Sequence, residues 1–222
     1  MRAALVVSAL LLASATASAQ PDDETIRATV RTLGYEGITH YEAGDYAAAL
    51  DRLDRAYVLI AVPTLGLWSA RALAKLGRWV EASERYFDVL RLPLPELEPE
   101  VHAHAQAEAK TERDALEPRI PRLTLRVPDT AHGVTVTLDE RPIALELLDA
   151  PIPVDPGEHL VAAMRDEQRV AQNVTASEGD RLEVTLSLPP WQPPEPAVSP
   201  PLPTAAPPAG AAPPHHAQPS AR

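Results

Sequence analysis

The chain contains no cysteine, which excludes disulfides, thiolate metal ligands, a thiol nucleophile and a lipidated cysteine. Packing alone must hold the fold together. Aromatic residues make up only 4% of the chain, with a single Phe, and none falls between Pro118 and Pro190. That stretch lacks the ring faces on which sugar-binding platforms are built. Lysine is confined to Lys75 and Lys110, and the formal net charge is −11. A chain this acidic has no electrostatic attraction to nucleic acid or to anionic lipid. Long hydrophobic runs are missing too. The segments from Ala3 to Ala13 and from Ala56 to Ala70 fall short of the roughly 18 to 20 apolar residues that span a bilayer. The second is also broken at Pro63-Thr64, read as a helix end followed by an N-cap. No integral membrane segment is expected.

The motifs of catalysis are absent as well. No Gly-rich phosphate loop follows a strand, and there is no G-x-S-x-G, H-E-x-x-H or cysteine cluster. The sequence therefore predicts no catalytic residue, no cofactor site and no metal site, and it reads as a protein that is not an enzyme.

What is present begins with MRAALVVSALLLASATASAQ. One cation, an apolar core and small residues at Ala17 and Ala19 form a signal peptide over residues 1–19 with an A-x-A cleavage site. Export is the expectation. The excess of Arg over Lys, with abundant Ala and Pro, points to a GC-rich bacterial genome and a periplasmic location, with secretion or outer-membrane association as alternatives.

From Thr25 to about Arg91 the apolar residues recur at helical spacing, and the segment repeats itself. YEAGDYAAALDRLDRAY aligns with AKLGRWVEASERYFDVL, so that Gly44 matches Gly77, Tyr46 matches Trp79, Ala49 matches Ala82 and Leu53 matches Tyr86, each 33 positions on. The glycines suit left-handed helix C-caps, the aromatic after each fits beneath the turn, and the small alanines permit close helix approach. Pro63 and Pro93 are read as closing the second helix of each pair. These residues resemble two tetratricopeptide (TPR) repeats, whose period is about 34 residues. The early aromatic of the family is replaced by Leu33 and Gly66, and its small residue is met by Gly37 and Ala70. A fifth helix, from about Glu98 to Glu117, is expected to cap the stack. On it His102 and His104 lie two apart, hence on different faces, and are read as solvated side chains and poor joint metal ligands. The helical domain spans residues 20–117.

After Pro118 the hydrophobic period changes to two. Leu123-Leu125-Val127, Val134-Val136-Leu138, Ile143-Leu145-Leu147, Leu160-Ala162-Met164, Val170-Gln172-Val174 and Leu182-Val184-Leu186 alternate with polar residues and are separated by polar turns. Six or seven short strands at this spacing predict a small antiparallel β-sandwich over residues 118–188. Within it, Asp155-Pro156-Gly157-Glu158 has the signature of a type II turn. Glu158 and His159 then enter a strand, where adjacent side chains point to opposite faces and cannot converge on one ligand or proton. The half resembles PEGA-type β modules through Pro156, Gly157, Glu158, His159 and Val161, then Val184, Leu186 and Leu188. It departs from them at Asp139-Glu140, where Asp-Gly is usual, and at Asp166-Glu167, where Gly-Tyr is usual. From Pro189 to Arg222, Pro and Ala dominate, and a disordered or polyproline tail is expected.

The fold class expected is thus α+β in two domains. A TPR-like helical hairpin stack is followed by a small antiparallel β-sandwich and a Pro-rich tail. The TPR resemblance implies a concave surface built from the first helix of each pair, with inward positions Arg31, Ile38, Tyr41, Leu67, Arg71 and Ala74. A protein or peptide partner would lie there, making the chain a non-catalytic envelope adaptor. The alternative is a cell-wall or carbohydrate-binding β module carried on a helical spacer.

Overall fold

The computed structural model describes residues 23–128 and 133–191. The expectations placed on the leader and on residues 192–222 of the tail lie outside the described residues. Five helices come first: α1 (Asp23–Glu42), α2 (Tyr46–Leu59), α3 (Pro63–Lys75), α4 (Trp79–Arg91) and α5 (Pro99–Leu116). Seven strands follow, and the α+β class is met. Among the described residues no helix is long and apolar enough to cross a membrane.

Each helix packs on the next in sequence, and α3 also packs on α5 and touches α1. That pattern sets α1, α3 and α5 in one layer and α2 and α4 in the other. The turns that make this possible end α1 and α3 in the same way. Gly44 (φ 80°) and Gly77 (φ 78°) are left-handed. Asp45 N–H then reaches back to the His40 carbonyl at 2.9 Å, and Arg78 N–H to the Leu73 carbonyl at 3.1 Å. This double reversal satisfies carbonyls that a helix end otherwise leaves orphaned. Ala49 and Ala82 are fully buried between helices. Gly37 is closer still, since a Cβ there would sit 2.6 Å from Leu53 Cγ. Pro63 does not close α2. It opens α3 as the first helical residue, with Val62 as the cap residue and Thr64 inside the helix, because the first helical position has no use for an N–H.

The strands are β1 (Arg122–Arg126), β2 (Thr135–Leu138), β3 (Arg141–Ile143), β4 (Pro151–Pro153), β5 (Gly157–Arg165), β6 (Gln168–Ala176) and β7 (Arg181–Thr185). They form a three-stranded sheet in the order β4-β1-β7 and a four-stranded sheet in the order β3-β2-β5-β6. Leu123, Leu125 and Val184 of the first sheet share one buried cluster with Val136, Leu138, Val161 and Ala163 of the second. Two expectations are corrected. The pairing of β1 with β7 is parallel, since a period of two fixes which face a residue takes but not which way its strand runs. The Ile143-Leu145-Leu147 alternation is a strand only as far as Ile143; Leu145–Leu147 forms a 3-10 turn, leaving Leu145 and Leu147 39% and 48% exposed.

Helices and strands are joined without slack. Leu116 and Ile120 belong to the helical core, while Leu123 already belongs to the core of the sheets.

Candidate functional site

The layer of α1, α3 and α5 carries a cleft of about 670 Å³. The helix period explains one wall, since Arg27, Arg31, Tyr35 and Ile38 follow one another by four, four and three residues along α1. Val30 and Leu65 with Ile60 and Val62 of the α2–α3 connection give it an apolar floor, and Pro95, Glu96, Leu97 and His102 close the far side. Gly34 lets α3 come close beneath, because a Cβ there would lie 3.1 Å from Leu65 Cδ2. Two large apolar side chains stand open on the rim, Tyr35 at 68% and Leu97 at 75% exposure. Neither Arg27 nor Arg31 is paired with an acid among the described residues, whereas Arg52, Arg55, Arg71, Arg78 and Arg85 all are.

No family model, curated protein or solved structure matches the chain. The chemistry of the cleft is therefore read from its own residues.

Of the six positions expected on the concave face, Arg31 and Ile38 line the cleft. Tyr41 and Arg71 lie one step further along the same layer, in a cluster that is already satisfied. Tyr41 meets Trp68 and Tyr46 edge to face, each at 5.2 Å between ring centres. Arg71 lies 4.8 Å over the Trp68 ring and binds Glu112 at 2.5 Å and Glu108 at 3.2 Å. Tyr86 donates to Glu112 at 2.7 Å, and burial together with that carboxylate holds its hydroxyl far above the ordinary phenol range. Leu67 does not reach the face, being 2% exposed inside the helical core. Ala74 is half-buried against that core and uses its carbonyl to accept from Trp79 Nε1 at 3.2 Å.

Arg27, Tyr35, Leu97 and His102 were missed. The four-residue step from Arg27 through Arg31 to Tyr35 is the signal that could have found the first two. His102 corrects the solvated-face reading: it is half-buried on the cleft and its Nδ1 is enclosed without a hydrogen-bond partner. Burial pushes its imidazole below the ordinary histidine value. His104 is the solvated one, its side chain 75% exposed and 3.4 Å from Glu108.

A second polar cluster lies within the β half. His159 has its Nδ1 2.7 Å from Asp139 Oδ2 and its Nε2 2.7 Å from the Asp155 carbonyl. Asp139 also accepts from the Leu160 amide at 2.9 Å. These bonds hold a hairpin turn in which both Asp139 (φ 49°) and Glu140 (φ 66°) are left-handed without being glycine, a strain of roughly 1–2 kcal/mol per residue. Glu158 is exposed and takes no part, as the alternation of a strand requires.

Proposed function

We propose that the chain is a non-catalytic adaptor of the bacterial envelope. In this reading the five helices are a TPR-like hairpin stack, the two sheets a PEGA-like β-sandwich, and the partner a protein or peptide held in the α1–α3–α5 cleft. The supporting observation is an apolar floor edged by two arginines, Arg27 and Arg31, that pair with no acid among the described residues. An unpaired guanidinium beside apolar surface suits a segment that brings a carboxylate next to an apolar side chain. Arg31 and Ile38 would make direct contact. Tyr41 and Arg71 would hold the end of the cleft in shape, and Leu67 and Ala74 would support it from the core. The leader is read as directing export to the periplasm.

A photo-crosslinking amino acid placed at Tyr35 in the cleft, and separately at Val58 on the outer layer, tests this in envelope extract. A defined adduct from position 35 and none from position 58, weakened about tenfold or more by Arg27→Glu with Arg31→Glu, is the expected result. Equal capture at the two positions, or indifference to the charge reversal, removes the cleft from the function.

A further inference from the structure

The two sheets have four edge strands, and three of them are defended against pairing. β3 is three residues long and contains Pro142; β4 is three residues long with proline at both ends; β7 has five residues, among them Arg181 and Glu183. Short length, proline and charge are the usual means by which an edge is kept from recruiting another strand. The fourth edge, β6, is neither short nor interrupted by proline. It is nine residues of regular strand, QRVAQNVTA, with no proline and Arg169 as its one charge. Every residue from Gly157 to Arg165 of β5 pairs with it on one side. On the other side no strand among the described residues covers it. Half of its backbone N–H and C=O groups therefore face outward as a ready ladder.

We propose that this edge pairs with the β6 of a second copy of the chain, antiparallel and about a two-fold axis through Gln172, joining two four-stranded sheets into one. The sequence of the strand fits itself in that register. Gln172 is the midpoint, so the axis there gives overlap along the whole strand, and its side chain meets its own symmetry mate. Val170 meets Val174 on the side that faces the core, where both are only half-buried, so pairing extends the apolar layer of each copy. On the opposite side Ala171 meets Asn173, and Arg169 meets Thr175. No like charges stand opposite one another along the ladder, although the chain as a whole carries −11. Just beyond it Asp166 comes opposite Glu178, whose charge Arg119 of its own chain offsets at 2.7 Å. A closed two-fold contact also uses up the edge, leaving nothing to propagate into a fibre.

The test is the particle mass of the full chain across a concentration series, by sedimentation or light scattering, for the wild type, Gln172→Lys, Gln172→Glu and an equimolar mixture of the two variants. Gln172 is exposed, so neither change disturbs the fold. A wild-type particle of twice the 23.9 kDa chain, weakened about fivefold by either variant alone and recovered in the mixture, is expected from like and opposite charges set directly across a ladder. A monomer at every concentration, a dimer insensitive to charge at position 172, or a mixture that fails to recover overturns the proposal. A strand from a different protein at this edge would give the first of those outcomes.

Discussion

The carboxylate of Asp155 accepts a hydrogen bond from the backbone amide of Val80 at 2.8 Å, across a separation of 75 residues. Val80 is the second residue of α4, whose own cap residue, Arg78, offers no side-chain acceptor. In the first repeat the matching position is Asp45, which caps α2 by accepting from Ala48 at 3.2 Å. The second repeat has Arg78 at that position, and the loop before β5 supplies the acid. The sheets are thus part of how the helices end.

Asp155→Ala is expected to destabilise the folded chain by about 1 kcal/mol, the usual loss for a helix cap. Adding Arg78→Asp, which gives α4 an acid of its own, should recover part of that loss. Urea denaturation of the single and double variants measures both. An unchanged midpoint for Asp155→Ala would show that water replaces the cap at no cost.

His159 makes the same region sensitive to pH. Burial lowers its affinity for a proton, but the hydrogen bonds to Asp139 and to the Asp155 carbonyl outweigh burial and raise its pKa above the ordinary histidine value. Asp139 moves the other way: burial raises it, and His159 with the Leu160 amide bring it below the ordinary carboxylate value. Stability from the raised histidine is complete below about pH 6.5 and is lost as pH rises through its folded value. Stability from the depressed carboxylate is present above about pH 3.9 and is lost as pH falls through its folded value. Between those limits the pair contributes most. The difference in melting temperature between the wild type and His159→Gln should therefore be larger near pH 5.5 than near pH 8.5. A difference independent of pH would mean that His159 acts by packing alone.

Gly66 stands where the first repeat has Leu33, and the structure gives the reason. A Cβ there would lie 2.5 Å from Val89 Cγ2 and 3.0 Å from Tyr57 Cε2, and Val89 is fully buried. Tyr57 from the preceding helix takes the space that a side chain on α3 would need. Alanine gains about 1 kcal/mol in helix propensity over glycine, but overpacking a filled core costs about 1–3 kcal/mol. Gly66→Ala should thus lower the thermal midpoint, and Val89→Ala in the same chain should relieve the clash. A higher midpoint for the single variant would show that α3 shifts freely.

The order of helices and strands was legible because the hydrophobic period changes from near 3.6 to 2 close to Pro118, between the end of α5 and the start of β1. The helix ends at Gly44 and Gly77 were legible because a left-handed residue has a strong sequence preference. Strand direction was not, since Leu182 and Val184 alternate identically whether β7 runs with β1 or against it. The cleft was legible in part: Arg31 and Ile38 are inward positions that the TPR resemblance implies, and both line it. Leu97 and His102 come from the segment after α4, and only tertiary packing brings them opposite α1. The bond from Asp155 to Val80 has no local signature at all.

The parallel pairing of β1 with β7 joins the first strand of the β half to its last. The helices contact their sequence neighbours, and such local contacts close quickly. β1 pairs with β4 on one side, but its other side is completed only by Arg181 to Thr185, the last strand of the β half. Without it Leu123 and Leu125 lack the strand that completes their sheet. The last residues of the β half are therefore the ones on which its first strand depends, and a chain shortened before Arg181 would forfeit the beginning of that half along with its end.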